Sequence, residues 1–147
     1  MENISKQRSE KTKGFTLLEL MVVMVILGLL GAIVLPRFMG KIGQAKNKAA
    51  ATQISYFEIA LDSFYLDVGH YPTTSEGLAA LITSPGGVPE WNGPYLKKSE
   101  VPTDPWKNPY HYVSPGSHGD YDIYSYGADA TEGGEGDNAD IVSWKAN

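Results

Sequence analysis

The chain has 147 residues, a formal net charge of −5, 42 % apolar residues and no cysteine. That length makes one ordinary domain once an apolar segment is set aside. The acidic balance argues against a nucleic-acid binder, which needs a basic footprint, and the lack of thiols excludes disulfides and thiolate metal sites.

Residues 1–14 hold four basic side chains, Lys6, Arg8, Lys11 and Lys13, against two acidic ones. They precede Phe15 to Leu35, 21 residues whose one formal charge is Glu19. At about 1.5 Å of rise per residue, a helix of that length covers the roughly 30 Å of hydrocarbon in a bilayer. The basic residues before it place the N-terminus in the cytoplasm and the C-terminal part outside. The run is too long for the apolar core of an ordinary secretory signal, and no clean small-residue cleavage site follows it. Glu19 is the anomaly: a carboxylate in hydrocarbon is costly, so it either snorkels to the interface or has a partner.

The heptapeptide Lys13-Gly14-Phe15-Thr16-Leu17-Leu18-Glu19 resembles the class III signal of type IV pilins and of the pseudopilins of type II secretion. The resemblance implies that residues 1–14 are a cytoplasmic leader, removed after Gly14 by a prepilin peptidase, and that Phe15 is then N-methylated. It also implies a role for Glu19 in subunit assembly. Pairing with the new ammonium group of Phe15 on a neighbouring copy would stabilise the buried carboxylate and fix axial register.

The transmembrane or polymerisation helix is placed at 15–36 and an amphipathic stalk at 37–68. In the stalk Ile54, Phe57, Leu61, Phe64, Tyr65 and Val68 recur every three or four residues, the spacing of one apolar helix face. Lys41 to Gln53 suits a solvated or subunit-contacting surface. Pro36 removes a backbone donor, and Gly28, Gly31, Gly40 and Gly43 weaken the helix around it. The region 28–36 therefore either kinks at a membrane boundary or unwinds on assembly, as the resembling family does in filaments.

Residues 69–147 form an outer globular region of short elements between turn signals. Thr74 or Ser75 is the expected N-cap of a helix with Leu78-Ala79-Ala80-Leu81-Ile82 as its body. Tyr95-Leu96 reads as a short edge strand. Residues 110–113 and 121–126 read as two strands joined by a loop, with Asp122, Tyr124 and Tyr126 on one face and Tyr121, Ile123 and Ser125 on the other. The fold class is α+β: a long N-terminal helix packed on a small antiparallel sheet, with an acidic C-terminal loop. The stretches HYPTTSEGLAAL, GPYLKK, DPWKNPYHY, YDIYSYGAD and ADIVSW resemble the major, G-type pseudopilins of type II secretion.

Between Asp129 and Asp140 stand Asp129, Glu132, Glu135, Asp137 and Asp140, interleaved with glycines and with no basic residue. Calcium takes six to eight oxygens from carboxylates and carbonyls, so a calcium-binding loop over 126–140 is the natural reading. The residues match neither an EF-hand loop nor a repeated calcium nonapeptide. A flexible solvated loop stays open as the alternative. The resemblance implies one calcium ion and carries over to Tyr126, through its carbonyl, and to Asp129 and Asp140, with Thr131 and Asp137 as further ligands.

His70, His111 and His118 lack zinc spacing and no catalytic constellation can be assembled, so the chain does not read as an enzyme. Trp91, Trp106 and Trp144 suit packing or subunit contacts. The resemblance implies a structural subunit of a periplasmic pseudopilus that helps export folded proteins. Its partners would be further copies of itself, minor pseudopilins, an inner-membrane assembly platform, the prepilin peptidase, and membrane lipid before assembly. A type IV pilin of a surface fibre is the alternative, disfavoured by the absent cysteines. A single-span binding protein that never polymerises is a third reading.

Overall fold

The computed structural model describes residues 14–145, and within α1 the side chains of residues 36–39 are excepted. The leader residues before Gly14 and the Pro36 side chain therefore lie outside what is described. The backbone is helical through residue 36, so the proline does not end the helix. Helix α1 runs Leu17–Val68, and the chain divides into two compact units, Met1–Phe38 and Met39–Asn147.

In the first unit the start of α1 is set by a reciprocal pair. The Thr16 amide and hydroxyl both donate to Glu19 Oε2 at 3.0 Å, and the Glu19 amide donates to Thr16 Oγ1 at 3.2 Å. This is the capping box, in which two amides left unbonded by the helix geometry are satisfied at once. The side chains that follow, from Leu17 to Leu30, are exposed on every face. Among the described residues α1 is the one helix long and apolar enough to cross a membrane.

In the second unit the apolar face of α1 is the floor of the core. Ala50, Ile54, Phe57, Ala60, Leu61 and Phe64 are buried there, against Leu78, Leu81, Tyr110, Tyr112, Ile123 and Ile141. Tyr65, assigned to this face by its spacing, is 45 % exposed, although its ring lies 4.8 Å from that of Tyr71.

Three strands form the antiparallel sheet, β1 (His111–Val113), β2 (Asp122–Ser125) and β3 (Ile141–Val142), in the order β1-β2-β3. The two-residue period of β2 buries Ile123 and Ser125 completely and leaves Tyr124 half-buried outside. On that outer face His111 stacks on Tyr124, and Trp144 stacks on His118 with ring centres 4.0 Å apart.

Two expectations are corrected. Gly77–Leu81 is a short 3-10 helix without a side-chain cap. The reciprocal pairing lies before it, between Thr73 and Glu76. Thr74 instead ties the end of β1, exchanging hydrogen bonds with the backbone of Ser114. Tyr95-Leu96 is not a strand: the Tyr95 amide bonds to the Leu81 carbonyl at 2.7 Å, and its ring packs edge-on against Phe64. Strand β3 was not anticipated, because two residues are too few to show a period.

Asp122 shares the outer register of Tyr124 yet is buried, because the 114–120 loop closes over it. The amides of Ser117 and His118 and the His118 ring all hydrogen-bond its carboxylate. Burial pulls the Asp122 carboxyl upward, but these bonds outweigh it and hold it below the usual carboxylate range. A folded-state value below the unfolded one gives stability that is fully present above about pH 4 and is lost as pH falls through the folded value. Asp122→Asn is therefore expected to flatten the acid limb of thermal stability below about pH 4. An acid limb as steep as that of the unsubstituted protein would show that Asp122 does not contribute to it.

Candidate functional site

The acidic loop starts where β2 ends. Tyr126 precedes a 3-10 turn, Gly127–Asp129, and a second one, Gly136–Asn138, leads into β3. Gly127 has φ of 70°, and a Cβ there would stand 2.7 Å from the Asp137 carbonyl oxygen, so a residue without a side chain is needed for the two turns to meet. The anchor beneath is Ser125, whose hydroxyl accepts the Gly127 amide and donates to the buried Asp104 carboxylate. Asn108 donates its side-chain amide to the Gly127 carbonyl at 2.9 Å.

The candidate ligands fall into different environments. Asp129 is exposed and accepts the Thr131 amide at 3.2 Å. Asp140 accepts the Gly133 amide through Oδ2 at 2.9 Å, while its Oδ1 is buried and has no hydrogen-bond partner among the described residues. Tyr126 lies close enough to Glu132 and Asp140 to feel their charge. Its phenol is pushed upward, first by a hydrogen bond with Tyr124 and also by those two acids. Asp137 is directed elsewhere: its Oδ1 lies against Gly43 of α1, so closely that a Cβ on Gly43 would collide with it.

Among the described residues no three His, Asp or Glu side chains converge as a ready-made metal cluster. A hard cation could still be held here by an oxygen set made partly of backbone carbonyls, of the kind calcium takes. Asp140 fits that role, since an orphaned carboxylate oxygen shielded from water needs a positive partner. Asp129 and the Tyr126 carbonyl stand on the same loop, whereas the contact of Asp137 with α1 makes it a support of the loop.

Sequence reasoning missed that support. The composition of Lys41 to Gln53 suits a solvated or subunit-contacting surface, yet Gly43 and Ala50 are buried, and Asn47 Nδ2 donates to the Gly136 carbonyl at 2.9 Å. The one available signal was a glycine within a helix, which lowers helix stability and calls for a packing reason.

The family model "Type II secretion system (T2SS), protein G" matches residues 37–144, and "Prokaryotic N-terminal methylation motif" matches 11–35. A Pseudomonas aeruginosa protein named type II secretion system core protein G is 49 % identical, over 94 % of this chain and 98 % of its own length. Its Vibrio cholerae counterpart of the same name is 47 % identical over 94 % and 95 %. The crystal structure of the major pseudopilin from the type 2 secretion system of enterohaemorrhagic Escherichia coli aligns with a TM-score of 0.59 and 34 % identity. That alignment covers 72 % of this chain and 92 % of that one.

Proposed function

This chain belongs to the type II secretion system protein G family, and from that premise we propose how it is processed, anchored and assembled. It is a structural pseudopilin subunit and not an enzyme, and it is membrane-anchored through its apolar N-terminal helix. On our reading a prepilin peptidase cuts after Gly14 and the new N-terminus at Phe15 is methylated. The basic leader is cytoplasmic and the second unit periplasmic.

The observation that carries this reading is the start of α1, where apolar side chains stand exposed on every face from Leu17 to Leu30. Such a surface is stable in lipid before assembly and among identical helices afterwards. Head-to-tail contacts that do not close then give a filament. The finer partners we assign are the minor pseudopilins, the inner-membrane platform and the peptidase. Crosslinking of the full chain in membranes is the test: a ladder of multimers is expected, and monomers alone would sink the assembly reading.

We further assign one calcium ion to the acidic loop, held by Asp140, Asp129 and the Tyr126 carbonyl, with Thr131 as a weaker candidate. Its chemistry would be to neutralise a loop of five acids that has no disulfide to close it. If calcium binds only the folded state, a concentration of 100 times Kd stabilises by about 2.7 kcal/mol, a rise in Tm of roughly 10 °C for a domain of this size. Thermal unfolding of the full chain in detergent micelles is expected to show this rise with calcium, little of it with magnesium, and none with chelator. Identical melting in all three would remove the ion from the reading.

A further inference from the structure

The second unit holds two buried side-chain oxygens that share an unusual position. Asn47 Oδ1, on α1, and Asp140 Oδ1, at the end of the acidic loop, have no hydrogen-bond partner among the described residues. Both residues line one cleft of about 520 Å³, together with Lys48, Ala51, Val142 and Lys145. The other end of the Asn47 amide is committed, since Nδ2 donates to the Gly136 carbonyl across 89 positions of sequence. One turn earlier on the same helix, Gly43 receives Asp137.

We infer that Asn47 positions the acidic loop for its cation, its Nδ2 fixing the Gly136 carbonyl on the loop that ends at Asp140. This rests on the calcium reading above. The physical basis is that an ion drawing on backbone carbonyls binds tightly only when the backbone is already placed, and the loop has almost no apolar side chains to place it. Gly43 and Asn47 lie on one face of α1, four residues apart, and so form a single seat for Gly136 and Asp137. The helix that carries the apolar N-terminal segment thus also carries the support of the loop.

The test uses the full chain in detergent micelles, as Asn47→Ala and Asn47→Asp beside the unsubstituted protein. Alanine suits a helix and aspartate keeps an oxygen while losing the donor, so both variants are expected to fold. Calcium affinity is measured by titration calorimetry after chelator treatment, and amide exchange at residues 136–140 is measured at saturating calcium.

Asn47→Ala is expected to raise the calcium Kd about tenfold and to speed exchange at 136–140 by a similar factor. Asn47→Asp is expected to speed exchange equally while raising Kd less than alanine does. Exchange left unchanged by Asn47→Ala, or kept slow by Asn47→Asp, overturns the proposal. So does faster exchange with an unchanged Kd. If the unsubstituted protein takes up no calcium, the calcium reading fails and the role toward a cation falls with it. Exchange then decides separately whether Asn47 anchors the loop.

Discussion

Replacing Asp104 by alanine is expected to lower the stability of the second unit by about 3–4 kcal/mol, the largest stability loss proposed for a single side chain here. Asp104 is 4 % exposed. Its Oδ1 accepts the amides of Trp106 at 3.0 Å and Asn108 at 2.8 Å, and its Oδ2 accepts the Ser125 hydroxyl at 2.6 Å. The alanine variant leaves all three donors without that partner, and a buried donor so abandoned costs about 1–3 kcal/mol. Two of them belong to the turn that places Asn108 on Gly127, and the third is the hydroxyl that holds the Gly127 amide. The loss should therefore extend to the loop. Asp104→Asn, which keeps one acceptor oxygen, should cost about half as much. Urea unfolding of the full chain in micelles would measure both, and a loss below about 1 kcal/mol for alanine would mean that the turn relaxes or takes in water.

Glu19→Gln is expected to reduce the crosslinked multimer ladder at least tenfold while monomer level and helix content hold. The variant separates two roles of one carboxylate. In the single chain Glu19 is satisfied locally, as the acceptor of the Thr16 amide and hydroxyl. Glutamine can accept the same bonds through Oε1, so the capping box survives in it and only the charge is lost. The assembly reading requires the charge, because the partner we assign is an ammonium group on a neighbouring copy. Glu19→Ala, by contrast, removes cap and charge together and cannot tell them apart. A normal ladder from the glutamine variant would assign Glu19 to capping and take away its part in register.

The same pair of sites shows where sequence reasoning ends. The motif around Glu19 stood out because an acid in an apolar run is anomalous by itself, and its structural partner lies three residues away. Asp104, in contrast, stands beside Pro105 in a proline-rich stretch with nothing local to set it apart. Its importance comes from Ser125, 21 positions on, and no local pattern joins them. The edge-strand reading of Tyr95 fails for the same reason, since its amide is satisfied by Leu81 at the end of the 3-10 helix rather than by a strand.

By itself the sequence determined the long helix, the apolar face with Ile54, Phe57, Leu61 and Phe64, and the cores of β1 and β2. It also marked the acidic loop as a region apart. These are periodic or compositional features, written in residues within one or two turns of each other, where burial and propensity act locally. Tertiary structure alone decided that Thr74 ties to Ser114, that Ile141 and Val142 become a third strand, and that Asp137 turns toward Gly43. It alone set Asn47 under Gly136 and left one oxygen of Asp140 buried without a partner. Each of these depends on which distant backbone group comes within about 3 Å, a condition set by how the whole chain packs and not by its neighbours in sequence.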